Sequence, residues 1–220
     1  MLRIGLDINH VLRDINAAFV RAYDKEFATD HLNTMDAKVR ENMDIFGKLK
    51  DFPFKDRNAK RRFFEEDYHY EIFASAVHSE AMLIGRFSQW RRDVIDYADE
   101  DVELIFFSVG ETELQYSSTL FFLSKGLRPK HIVFVDTPEE IWDICDAVVT
   151  ANKKVLEACP ENKVSFKIER DFNKDAEADY TYERIGEIME DKDFLNKAMT
   201  KTENTHRLSW TRKIRRFLKG

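Results

Sequence analysis

Three polar side chains stand where apolar runs of this chain break off, and they are the first places to look for chemistry. Residues 3–9 read as a short, mostly apolar strand that delivers Asp7 to its tip, with Asn9 two residues further on. Val102-Glu103-Leu104-Ile105-Phe106-Phe107 reads as a second buried strand and ends on the hydroxyl of Ser108. A carboxylate at a strand tip can attack an electrophile or hold a cation, or it can simply cap the turn into the next helix. A serine hydroxyl can hydrogen-bond an anion, although serine also commonly ends strands. Asn9 can donate and accept hydrogen bonds, but its amide does not titrate in the useful range and cannot shuttle a proton. The six histidines, at 10, 31, 69, 78, 131 and 206, have no metal-ligand spacing. With only Cys145 and Cys159 beside them, a zinc site is not expected.

To position such groups the chain must alternate strands with helices. After the first strand, apolar residues at 11, 12, 15, 19, 23 and 27 predict an amphipathic helix over 11–28. Further strands are expected at 131–135, 147–150 and 164–168, with helices over 85–98, 111–124, 138–145 and 153–158. A helix over 179–190 follows, with 193–200 continuing it. Pro138-Glu139-Glu140 makes a good helix start, and Gly126 with Pro129 a helix stop. That rhythm predicts a mostly parallel five-stranded sheet covered on both faces. In an open sheet of this kind, Asp7 would sit at the carboxyl edge, where such folds hold reactive groups. Residues 29–85 break the rhythm. They are rich in charge and aromatics, with helical stretches expected near 34–49 and 57–66, and are read as a helical insert over that edge.

Composition supports one ordinary domain with a small insert: 220 residues, 43% hydrophobic, 13% aromatic, 18 Phe, and only 7 Gly and 4 Pro. No apolar run approaches the roughly 20 residues of a membrane-spanning helix. Met1-Leu2-Arg3 leads straight into the strand, so no signal peptide is expected. Two cysteines are too few for a disulfide scaffold, and a reducing, cytoplasmic setting is expected. The net charge of −6 is uneven. Residues 201–220 hold seven Lys or Arg and one Glu, which leaves a body of −12 with a basic tail. Leu208, Trp210, Ile214, Phe217 and Leu218 lie among Arg207, Arg212, Lys213, Arg215, Arg216 and Lys219, a pattern that predicts a basic amphipathic C-terminal helix.

Asp7-Ile8-Asn9 followed by Val11 resembles the first motif of the haloacid dehalogenase superfamily, a hydrophobic strand ending in Asp-x-Asp with Thr or Val two residues later. Asp146-Ala147-Val148-Val149-Thr150-Ala151-Asn152, then Val155-Leu156-Glu157, Pro160 and Lys163, with Phe172-Asn173 later, is similar to the 5'(3')-deoxyribonucleotidase-like branch. The resemblance covers roughly residues 1–190. It implies a Rossmann-like three-layer fold with a core of residues 1–28 and 86–200, a helical cap at 29–85 and a tail at 201–220. It also implies that Asp7 stands at the nucleophile position and Ser108 at that of the phosphate ligand. The chain departs from the pattern at four places. Asn9 replaces the acid/base Asp. Thr150 and Ala151 replace the Asp pair that holds Mg²⁺ in the family. Glu140 falls where a Lys would neutralise the phosphoryl group.

Losing a general acid/base alone typically removes a factor of about 10²–10⁴. The eroded pattern therefore points to a protein without catalysis and without a cofactor, a structural or assembly component working through protein contacts, with a phage virion among its settings. The competing reading is a divergent Mg²⁺-dependent phosphohydrolase of the 5'-nucleotidase type with Asp7 as nucleophile. A third reading is a regulator that binds nucleotide without turnover. For the tail, a protein partner is favoured over nucleic acid or membrane. Arg207, Trp210, Arg212, Lys213, Arg215, Arg216 and Phe217 are the expected contacts.

Overall fold

The computed structural model describes residues 1–41, 43, 52–95 and 101–201. The tail residues 207–219, with every partner contact expected there, lie outside the described residues.

Strand β1 (Leu2–Asp7) buries Leu2, Ile4 and Leu6 on one face and Gly5 and Asp7 on the other, with Arg3 exposed at its start, and it occupies the middle of the sheet. It runs parallel to β4 (Val102–Val109) on one side, in register Leu2 to Val102 through Asp7 to Phe107. On the other side it runs parallel to β6 (Ala147–Thr150). Outside these lie β5 (His131–Val135) on one flank, and β7 (Val164–Ile168) and β8 (Tyr180–Tyr182) on the other. The order is thus β5-β4-β1-β6-β7-β8, all parallel, and the five expected strands are present with Asp7 at the carboxyl edge.

The sixth strand is a correction to the expected five. Residues 180–182 were assigned to a helix, but Tyr-Thr-Tyr suits a pleated edge, and the rings of Tyr180 and Tyr182 pack on Phe166 of β7. The helix begins only afterwards, at Ile185–Glu190. The second correction is the start of α1 (Ile15–Phe27). Residues 11–12 form a turn, and Arg13–Asp14 form a short strand, β2, antiparallel to β3 (Val77–His78). Asp14 then caps α1, its side chain accepting from the Ala17 N–H at 3.1 Å.

The sheet is sandwiched. On one face, α5 (Leu83–Trp90), α6 (Glu113–Ser124), α9 (Ile185–Glu190) and α10 (Phe194–Ala198) bury Phe87, Trp90, Phe122 and Phe194 against Phe106 and Phe166. On the other, α7 (Pro138–Ile144) and α8 (Lys153–Glu157) bury Ile141, Trp142 and Val155 against Phe107 and Val148. The apolar face of α1 does neither. Its Ile15, Phe19 and Tyr23 join Phe52, Phe63, Phe64, Ile72 and Phe73 in a separate aromatic cluster within the insert. The insert also carries α2 (His31–Thr34), α3 (Ala37–Glu41) and α4 (Arg57–Arg62), then two wide-pitched turns over 63–67 and 70–74. Those turns are fastened to α6. Gln115 donates to the Phe64 carbonyl at 3.3 Å, Lys125 donates to the Ala74 carbonyl at 2.8 Å, and His69 shares a 2.9 Å hydrogen bond with Ser118. The insert is thereby held against the helix that follows Ser108.

Candidate functional site

Asp7 is delivered by β1 and is almost fully buried, 3% exposed. Both of its oxygens are engaged. The Thr150 hydroxyl donates to Oδ2 at 2.6 Å, and the Asn9 backbone N–H donates to Oδ1 at 3.1 Å. Burial pushes the Asp7 carboxyl up to about 7 against the pull of these two donors. Next to Thr150, Ala151 presents a buried methyl, and its carbonyl already accepts from the Asn173 amide at 2.8 Å. The Thr150 oxygen also accepts from the Asn152 N–H at 2.9 Å.

The chain turns sharply after β1. His10 takes a left-handed backbone (φ 62°), unusual for a residue with a side chain, while the N–H groups of Leu12 and Arg13 both reach the Ile8 carbonyl. This turn brings Asn9 and Arg13 together, and the Arg13 Nε donates to Asn9 Oδ1 at 2.8 Å. Arg13 is wholly buried and is the centre of a network that sequence reasoning missed. Its Nη2 lies 2.6 Å from Glu111 Oε1, and its Nη1 donates to the Phe73 carbonyl at 2.8 Å and to Thr119 at 3.0 Å. The same Glu111 oxygen accepts from Ser108 at 2.7 Å and from the Asn9 amide at 3.4 Å, while Thr119 donates to Oε2 at 2.6 Å. Asn9 donates in addition to Ser108 Oγ at 3.0 Å. Gly110, at φ 71°, makes the turn after β4 that returns Glu111 beneath Ser108. The sequence did hold one signal: Arg13 is a charge placed among Val11, Leu12, Ile15 and Phe19.

A cavity of about 560 Å³ opens beside these groups. Asp7, Asn9, His10, Glu111 and Asp136 line it, with Phe73 and Phe172 as aromatic walls and Lys153, Lys154 and Glu157 at the α8 side. Ser108, Thr150 and Ala151 are fully buried and lie behind that lining. Glu140 does not reach the cavity lining. It closes its own helix start, accepting from the Asp136 N–H at 3.2 Å and from Thr137 at 3.3 Å. Asp136, directly after the end of β5, also stands at the cavity wall. The cations nearest in lining are Lys153 and Lys154, of which Lys153 is paired with Asp175 and Glu157. The His10 imidazole is pressed down to about 3, by burial first and then by Arg170 and Arg13, so it stays neutral at ordinary pH.

Mg²⁺ asks for octahedral oxygen ligands, usually with one or two carboxylates. Asp7 offers one carboxylate with both oxygens already accepting, the Thr150 hydroxyl donates rather than accepts toward that space, and the Ala151 carbonyl is spent on Asn173. Among the described residues, no three His, Cys, Asp or Glu side chains gather into a metal-binding group. These residues do not fit the ion. Nor is any helix among the described residues long and apolar enough to cross a membrane.

No family model matches this sequence, and no curated protein is similar to it. Solved structures are similar in shape. One, from Burkholderia xenovorans LB400 and described as a haloacid dehalogenase-like hydrolase, superposes with a TM-score of 0.55 over 88% of this chain and 98% of its own, at 15% identity. Such distant identity speaks for architecture alone. Taken with the parallel order β5-β4-β1-β6-β7-β8 and Asp7 at the tip of the central strand, it gives the conclusion that this chain has the Rossmann-like fold of the haloacid dehalogenase-like hydrolases.

Proposed function

We propose that this chain uses the haloacid dehalogenase fold without its phosphoryl-transfer chemistry and works through contacts with other macromolecules, as a structural or assembly component. One observation carries this reading. The Asp7 carboxylate accepts from the Thr150 hydroxyl, and the buried residue that follows Thr150 is Ala151, where metal-dependent catalysis would need a second carboxylate. The acid/base position supports it further, because Asn9 is clamped by Arg13 and does not titrate.

In this reading the insert at 29–85 is a cap kept for shape, and the basic segment 207–219 is the element that meets a protein partner. The experiment is an assay of purified protein against p-nitrophenyl phosphate and deoxynucleoside monophosphates, with and without Mg²⁺. The expected result is turnover at background, unchanged in Asp7→Asn. Metal-dependent turnover that Asp7→Asn abolishes would establish the divergent phosphohydrolase instead. For the tail, removal of residues 205–220 is expected to lose association while leaving the melting temperature unchanged.

A further inference from the structure

Glu111 occupies an unusual place. Four groups from three separate segments converge on its carboxylate: the Arg13 guanidinium at 2.6 Å, the Ser108 hydroxyl at 2.7 Å, the Thr119 hydroxyl at 2.6 Å and the Asn9 amide at 3.4 Å. Arg13, Ser108 and Thr119 are wholly buried, and Glu111 is 6% exposed on the cavity wall. Buried donors of this density around one negative group are what a protein builds to hold an oxyanion: a guanidinium for charge, hydroxyls and an amide for direction. Here the anion is covalently part of the chain. Gly110 supplies the turn that lets residue 111 fold back onto residue 108.

We propose that Arg13, Ser108, Thr119 and Asn9 form an oxyanion receptor whose resident ligand is the carboxylate of Glu111, so that external phosphate or carboxylate is shut out while Glu111 is present. This inference stands apart from the question of turnover, because it concerns binding and needs neither metal nor nucleophile. The ligand class is small oxyanions: formate or acetate where only the Glu111 carboxylate is removed, and phosphate or sulfate where space allows.

The test is chemical rescue in the full chain. Glu111→Ala removes the resident carboxylate and leaves a vacancy beside Arg13. Melting temperatures are measured in sodium formate, acetate, phosphate and sulfate against sodium chloride at equal ionic strength. The wild type is expected to show no anion preference. Glu111→Ala is expected to melt lower, and to regain at least about 3 °C in saturating formate over chloride. Adding Ser108→Ala to Glu111→Ala should weaken the half-saturating formate concentration about tenfold, the loss of one good hydrogen bond to a charged group. If Glu111→Ala does not fold in chloride, its refolding yield from urea in formate gives the same readout, and recovery in formate alone supports the receptor. Equal behaviour in formate and chloride, or rescue indifferent to Ser108, overturns it. Metal-dependent hydrolysis by the wild type would sink the functional reading while leaving the rescue result to stand.

Discussion

Two carboxylates at the same edge of the sheet have been buried in opposite ways. Glu111 is met by a guanidinium and three further donors, while among the described residues Asp7 is met by one hydroxyl and one backbone N–H and forms no ion pair. A charge removed from water is expensive unless it is paired and hydrogen-bonded. The Glu111 side of the site has been completed as structure. The Asp7 side carries an unbalanced carboxyl in a place where other proteins of this fold do chemistry. The lesson is that burial alone does not mark a working group, because what faces it decides whether it is a strut or a tool.

The sharpest way to break this contrast is to unpair the Glu111 side. Arg13→Ala or Glu111→Ala is expected to cost about 3–5 kcal/mol in urea unfolding, because each strands a buried charge. The double replacement Arg13→Met with Glu111→Leu should cost far less than the sum of the single variants. A purely additive double variant would show that the pair does not act as a unit.

On the Asp7 side the effect should be smaller, pH-dependent and of the opposite sign. Its folded value, about 7, lies above the unfolded 3.8. Below 3.8 the carboxyl is protonated in both states and carries no penalty. Between about 4 and 7 the unfolded state ionises first, so stability falls as pH rises, and above 7 the whole penalty is present. Three units correspond to about 4 kcal/mol as a ceiling, and lost hydrogen bonding with Thr150 reduces what is measured. Asp7→Asn should therefore be about 1–3 kcal/mol more stable than wild type at pH 8 and show no such gain at pH 4. Urea midpoints of both proteins at the two pH values decide it. A gain equal at both pH values would remove ionisation as the cause.

Ser108→Ala should cost least, about 1 kcal/mol, since Glu111 keeps Arg13 and Thr119. A loss as large as that of Glu111→Ala would make Ser108, and not the ion pair, the keystone.

Much of the fold was legible because apolar strands broken by polar tips can be read residue by residue. Asp7 and Ser108 stand where those breaks put them, on neighbouring strands β1 and β4. What was not legible depends on partners distant in sequence. Arg13 and Glu111 are separated by 98 positions, and nothing local in either segment names the other. Tyr180–Tyr182 is a strand because β7 offers it an edge and Phe166 offers it a ring, which its own three residues cannot announce. The face of α1 was read correctly as apolar, but the pattern could not say that its partner is the insert rather than the sheet. Glu140 was placed by counting along a motif, and the structure gives it a helix start to close instead.

The central position of β1 has a consequence for how the chain is made. Its neighbours on the two sides, β4 and β6, begin 100 and 145 residues after it does. At a synthesis rate of about 5–20 residues per second, the strand that carries Asp7 waits roughly 7–30 s on the ribosome before both of its edges can be covered. During that interval Leu2, Ile4 and Leu6 must stay out of other pairings. The insert, whose aromatic cluster draws on residues 15–73 alone, can close well before then.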